Sequence, residues 1–307
     1  MRIFLTGATG VIGRRVVPLL VDAGHSVTAI GRSPSKRANL ERQGATAVDV
    51  DMFDADALRA VLGGHDAVVN LATHMPATTT RMMFRRQWRE NDHIRREGSA
   101  ALAEASIAAG VGRFVQESFA PVYESGGDRW IDETWPLRPV AYNQTVLDAE
   151  RSATRFADRG GTGVILRFAG FYGGDSKFLR EMVGMVAKGW SPLPGPPSAF
   201  VSSISHDDAA TAVLAALGVK SGAYNVTDDE PLRHDEWVNS LADALGLAPP
   251  KPLPKWITRL GGSVMELLSR SHRMSNTKLR DTTGWAPRWP SVRQGFRAMA
   301  PELRRDL

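Results

Sequence analysis

The chain has 307 residues, 43% apolar and 23% charged, and contains no cysteine. That length supports one large or two modest domains around a sizeable core, and the composition is that of a globular chain. Missing cysteines exclude disulfides, thiolate nucleophiles, iron–sulfur clusters and cysteine-ligated zinc. No apolar run approaches the ~18 residues of a membrane span, and strand-like sequence starts at Arg2, so the expected compartment is the cytoplasm.

The formal net charge is +5, and the segment from Lys251 to Leu307 carries 12 basic residues against 4 acidic ones. No aromatic-interleaved basic motif and no helix-turn-helix pattern accompany that surplus. It reads as a solvated face, and neither nucleic acid nor membrane is an expected partner.

Short apolar runs alternate with helical patterns, the rhythm of a parallel sheet. Strands are predicted at Arg2–Leu5, Ser26–Ile30, Thr46–Val50, Asp66–Asn70, Arg113–Glu117 and Gly163–Arg167. Helices are predicted at Val11–Ala23, over a long stretch ending near Gly110, and at Tyr142–Arg159. Beyond Gly170 the pattern loosens through Pro192, Pro194, Pro196 and Pro197. It recovers as a helix at Asp207–Leu217, a strand at Ala223–Val226 and a helix at His234–Leu245. Pro249, Pro250, Pro252 and Pro254 form a stiff connector to a helix from about Trp256 to Ser269. The apolar stripe of that helix (Trp256, Ile257, Leu260, Val264, Leu267, Leu268) reads as packed on its own domain rather than on a membrane surface.

Thr6-Gly7-Ala8-Thr9-Gly10-Val11-Ile12-Gly13 falls between the first strand and the first helix. Glycines there permit a tight turn, let the backbone approach a pyrophosphate and allow close helix–strand packing, with the helix N-terminus facing the anion. The expected binding set is Gly7, Thr9, Gly10, Val11, Ile12 and Gly13. An NAD site usually carries an acidic residue at the end of the second strand; here Gly31-Arg32-Ser33 stands there, with Lys36 and Arg37 behind. A guanidinium suits a 2′-phosphate and gains little from a bare hydroxyl. Arg32 and Ser33 therefore predict NADP(H), with NAD(H) the lesser alternative.

The spacing Thr-Gly-x-x-Gly-x-x-Gly resembles the extended short-chain dehydrogenase/reductase family, the NAD(P)-dependent epimerase/dehydratase group, and the likeness runs nearly end to end. Val50-Asp51-Met52-Phe53-Asp54 is similar to the family's motif after the third strand, which implies that Asp51, with Met52 beside it, caps the adenine. Asn70-Leu71-Ala72-Thr73 matches the segment under the cofactor ribose. Leu166-Arg167-Phe168-Ala169-Gly170-Phe171-Tyr172-Gly173 resembles Leu-Arg-Pro-x-x-x-Tyr-Gly, with Phe168 in place of Pro and expected at the cofactor. Ser205-His206-Asp207-Asp208, Tyr224-Asn225-Val226 and Gly284-Trp285-Ala286-Pro287 match later structural landmarks. The implied fold is α/β: a Rossmann-type doubly wound parallel sheet over residues 1–170, with a smaller, partly interleaved α/β substrate lobe over 171–307.

The family's catalytic pair is Tyr-x-x-x-Lys on one helix face, with a Ser or Thr after the fifth strand. Tyr142 and the trailing Glu150 align, but Val146 stands where the lysine belongs. Phe119 stands where the hydroxyl belongs, and its neighbour Ser118 reaches the site only if the strand end is bulged. Arg95 replaces an asparagine found in many members, and Asn91 lies one turn earlier. With no cationic neighbour, Tyr142 is expected to titrate near about 10.

His74 is a second candidate acid. His206 reads as a helix-end residue rather than a metal ligand, and no metal is expected. The stretch Arg81–Arg89 reads as a solvated helix face with Met, Phe and Trp packed inward. The resemblance thus implies an NADP(H)-dependent oxidoreductase reducing a small carbonyl or sugar-like substrate, with Tyr142 as proton donor and Ser118 beside it. A catalytically degenerate NADP(H)-binding sensor or scaffold and a nucleotide-sugar epimerase/dehydratase are the alternatives. A homodimer through the helices around Ser99–Ala109 and Tyr142 is a further expectation.

Overall fold

The computed structural model describes residues 1–76, 78–253 and 262–306. The short apolar runs form a parallel sheet of seven strands. In chain order they are β1 (Arg2–Thr6), β2 (Ser26–Ile30), β3 (Thr46–Val48), β4 (Ala67–Asn70) and β5 (Arg113–Phe119). After the two-residue β6 (Trp130–Ile131) come β7 (Thr162–Phe168), the short β8 (Gly170–Tyr172), β9 (Phe200–Val201) and β10 (Ser203–Ser205), and β11 (Gly222–Val226). The main sheet runs β11-β7-β5-β4-β1-β2-β3. Chain order therefore reverses at β1, and the crevice outside the carboxyl ends of β1 and β4 is where such sheets bind ligands.

Helices cover both faces, as the near-continuous apolar strands require. In order they are α1 (Gly13–Asp22), α2 (Pro34–Arg42), α3 (Ala55–Leu62), α4 (Thr79–Met82), α5 (Arg89–His93), α6 (Ser99–Ala108) and α7 (Val146–Asp158). The C-terminal part adds α8 (Lys177–Ala187), α9 (His206–Ala215), α10 (His234–Leu245), α11 (Gly262–Leu268), α12 (Thr277–Thr283) and α13 (Val292–Leu303). Alternation within β1 sorts the core. Ile3 and Leu5 join Val16, Leu20, Val69, Val115 and Leu166 beneath α1 and α9, while Phe4 joins Leu58, Leu102, Phe114 and Phe156 beneath α3, α6 and α7. A third cluster in the C-terminal lobe centres on Leu179, Trp237, Leu241 and Phe296, the Trp237 and Phe296 rings meeting edge to face at 4.9 Å.

A cut at residue 170 divides the sequence but not the space, because β11 pairs with β7 in the main sheet. The two parts are also tied by a buried network. Glu150 on α7 holds Arg167 of β7 at 2.7 Å, and Arg167 donates to the Tyr123 hydroxyl, which donates to Asn225 of β11. Several cations of the basic C-terminal segment are engaged at home: Arg280 with Asp229 at 2.7 Å, Arg270 with Glu266 at 2.8 Å, and Arg273 over the Trp130 ring.

Two predicted helices differ in extent. The one expected from Tyr142 begins at Val146, since the Asn143 side chain accepts the Val140 amide and three-residue turns carry the chain from Val140 to Thr145. Of the helix expected from Trp256, the first residues lie outside the described ones and the remainder is α11. No helix among the described residues is long and apolar enough to cross a membrane.

Asp228 in the C-terminal lobe offers a stability test. It accepts the Tyr172 hydroxyl at 3.2 Å, while its other oxygen is buried without a partner. Burial, then the nearby Asp208, raises its pKa well above the ordinary carboxylate value. A carboxyl whose folded pKa is raised costs stability once pH exceeds its unfolded value, so the cost is absent near pH 3 and present near neutrality. Asp228→Asn should therefore raise the urea midpoint at about pH 7 and leave it nearly unchanged near pH 3, a comparison that two denaturation curves make.

Candidate active site and cofactor groove

The glycine turn lies at the topological switch. Gly7 has φ +68°, and a Cβ there would lie 2.4 Å from the carbonyl carbon and oxygen of Leu71. At Gly13 a Cβ would fall 2.2 Å from the Gly7 carbonyl oxygen, so helix and turn touch backbone to backbone. The Thr6 hydroxyl donates to Asn70 Oδ1 at 2.5 Å, and the Asn70 amide donates to Gln116 at 2.8 Å. These register neighbours lock the ends of β1, β4 and β5. No side chain caps α1 at Ile12. The exposed Val11 and the N-terminus of α1 follow that turn, a helix end of the kind that favours an anion.

The other expected cofactor residues line the same strand ends. Leu71, Ala72 and Thr73 leave β4 against Gly7, with the Ala72 amide on Asn70 Oδ1 at 3.2 Å. Asp51 follows β3 and accepts the Phe53 amide at 3.0 Å, and Met52 packs over Gly98. Ser33 caps α2 through the Lys36 amide, and Arg32 stands before it, its side chain 69% exposed and its Nη1 4.0 Å from Glu90. Arg37 is otherwise occupied: it donates to the Gly31 carbonyl at 3.0 Å and to Asp49 at 2.6 Å. The turn and the helix ends fit a dinucleotide. Phe168 does not belong to this set. Its ring is 1% exposed, packed in the core beside Phe171, because an aromatic in place of Pro turns into the apolar interior.

Farther along the crevice, α5 brings polar groups to the end of β4. The His74 amide donates to Asn91 Oδ1 at 2.9 Å, and His74 Nδ1 lies 3.3 Å from Glu90. Trp88, just before α5, packs on Tyr142 with ring centroids 4.5 Å apart. Tyr142 thus sits one turn ahead of α7 rather than on it, and Val146 opens that helix fully buried. Burial raises the Tyr142 phenol above its ordinary value, with Arg95 and then Arg270 pulling the other way. The expectation of an unperturbed tyrosine without cationic neighbours is corrected on both counts.

Ser118 is not brought to Tyr142. β5 keeps unbroken register with β7 through Ser118 and Phe119, so there is no bulge, and the Ser118 hydroxyl donates to Glu150 at 2.5 Å inside the α7 network. His206 sits 2.8 Å from Asp175 and is held neutral, burial and the nearby Arg15 lowering its pKa to about 3. Arg15 also meets Asp175, at 3.1 Å, tying α1 to the turn before α8. The Arg81–Arg89 stretch buries Trp88 alone of its large apolar side chains. Met83 and Phe84 are exposed, since the segment breaks into α4 and a single short turn rather than one amphipathic helix. Glu117, paired with Arg95 at 3.0 Å, was missed by sequence reasoning. The signal was a carboxylate between Gln116 and Ser118, a polar run inside a strand that starts apolar.

The NAD(P)H-binding family model matches residues 7–220, the span from the glycine turn to the approach of β11. The chain belongs to that family. A Streptomyces protein, 3-diazoavenalumate denitrifying reductase, is 32% identical over 96% of this chain and 99% of its own length. Among solved structures, MoeE5 in complex with UDP-glucuronic acid and NAD superposes with TM-score 0.79 at 24% identity, covering all of both chains. A human epimerase family protein, SDR39U1, solved with NADPH, gives 0.78 at 21% identity over 98% of this chain and 99% of its own. These two establish the Rossmann-type fold. The chain's named relatives include reductases and dehydrogenases, and it is an oxidoreductase.

Proposed function

We propose that the protein is an NADP(H)-dependent reductase of a small carbonyl substrate, with Tyr142 as the proton donor. The observation that carries the cofactor choice is Arg32, exposed at the end of β2 with Glu90 4.0 Å away, while Arg37 is held more closely by Gly31 and Asp49. When bound, the nicotinamide supplies hydride to the substrate carbon. The chain's residues do the rest: the Gly7–Gly13 turn and the start of α1 hold the pyrophosphate, Arg32 and Ser33 take the 2′-phosphate, and Leu71–Thr73 support the ribose. Tyr142, steadied by the Trp88 ring, presents a neutral phenol that gives its proton to the developing alkoxide. A phenol held above its ordinary pKa stays protonated near neutrality, which keeps the donor loaded and leaves little phenolate to take a proton from an alcohol.

Reduction is also the chemistry in the name of the Streptomyces relative. The retained substrate lobe, with its own core, supports an enzyme over a sensor. The test is NADPH oxidation against a panel of aldehydes, ketones and keto-sugars, with a diazo compound added because the relative is named for one. Tight NADPH binding without turnover of any member would favour the sensor.

Cofactor choice has its own measurement. NADPH should bind at least tenfold tighter than NADH, about 1.4 kcal/mol. Arg32→Ala should erase most of that gap by calorimetric titration and leave NADH affinity nearly unchanged. Equal affinities in the unmutated chain would remove Arg32 from the cofactor site.

A further inference from the structure

Arg95 is a buried cation that the cofactor groove does not use. It lies in the π-helical turn Ile94–Gly98 between α5 and α6, with its side chain 5% exposed. Its Nη2 donates to both Glu117 oxygens, at 3.0 and 3.4 Å, while its Nε is buried without a partner. The same helical ribbon runs along the approach to α7. Trp88 packs on Tyr142 with the rings tilted at 38°, Asp92 accepts the Thr145 hydroxyl at 2.8 Å, and Arg96 meets Asp148 at 3.4 Å. Asn91 and Arg95 stand three and seven residues after Trp88, on a neighbouring stripe of that ribbon, and Asn91 also keeps a buried, unpartnered amide nitrogen. A buried guanidinium with one donor left open is costly unless the site uses its charge. The aligned lysine position, Val146, supplies none.

We propose that Arg95 is a positioning residue that takes over the electrostatic duty of the missing lysine, Glu117 bracing it so that its charge acts on the substrate through the Tyr142 phenol. The inference rests on Tyr142 being the proton donor. As the carbonyl carbon takes hydride, the phenol O–H bond breaks and its proton goes to the substrate oxygen. The tyrosinate left behind is stabilised by Arg95 until water reprotonates it. Charged groups around this point are Arg95 with Glu117 of β5, Arg270 with Glu266 of α11, and Asp92, Arg96 and Asp148 along the ribbon and α7. Of these, Arg95 and Arg270 favour the phenolate against the effect of burial.

The test reads Tyr142 directly, without turnover. A polyfluorinated tyrosine built in at position 142 of the full chain is acidic enough to titrate while the protein stays folded, and fluorine NMR follows it. Arg95→Met removes the cation and leaves Glu117 uncompensated, so the midpoint should rise by about one unit or more. Glu117→Gln frees the cation and should lower the midpoint, and Arg95→Lys should hold it within about 0.3 unit of the parent. A structural role alone moves neither midpoint, or moves both in the same direction, and either result overturns the proposal. Should Arg95→Met fail to fold, the Glu117→Gln arm decides alone: no downward shift overturns it. Failure of the proton-donor reading shows separately, as full reductase activity in Tyr142→Phe with the natural side chains elsewhere.

Discussion

Gly7→Val should abolish useful cofactor binding, weakening NADPH by about a hundredfold or more, and should also lower the melting temperature. Two costs combine. The left-handed φ of +68° disfavours any side chain by about 1–2 kcal/mol, more for a β-branched one. A Cβ would also enter the space held by the Leu71 carbonyl, 2.4 Å away, forcing the end of β4 from the turn. Gly24 supplies the control: its φ is +79°, but nothing lies within 4 Å of its Cβ. Gly24→Ala should cost about 1 kcal/mol of stability and leave NADPH binding unchanged. Calorimetric titration beside thermal melts separates the two sites.

Tyr142→Phe should cut carbonyl reduction by about 10²-fold or more, the scale of losing a positioned proton donor, with NADPH binding intact. The Trp88 contact survives because the ring remains, so the loss falls on kcat rather than on folding. Steady-state kinetics with the best carbonyl of the panel measures it. Full activity in the variant would remove Tyr142 from the mechanism and turn attention to His74, whose Nδ1 faces Glu90 at 3.3 Å.

What the sequence made legible was local. The glycine turn could be read because φ at Gly7 and the Gly13 approach are requirements of single positions, and the start of α2 because the Ser33 cap follows the strand end directly. The site's far end depends on long-range register. Ser118 faces Glu150 because β5 continues without a bulge, which no local pattern announces. Tyr142 falls short of α7 because the Asn143 side chain captures the Val140 amide, competing with helix formation as short polar side chains do. Arg95 reaches Glu117 across the fold through a π-helical turn whose extra residue breaks the regular spacing. Phe168 sits in the interior because only packing decides which way an aromatic in a proline's place will turn.

The proposed proton source is a half-buried, neutral Tyr142. The measurement that meets it most directly is the pH profile of both reaction directions with one carbonyl–alcohol pair. Because burial holds the phenol above its ordinary value of about 10, the donor stays protonated across the neutral range, and reduction should be flat from about pH 6 to 9. Oxidation of the alcohol should rise about tenfold per pH unit and still be rising near pH 10. An oxidation plateau below about pH 9, or a reduction rate that changes steeply across the neutral range, would contradict it.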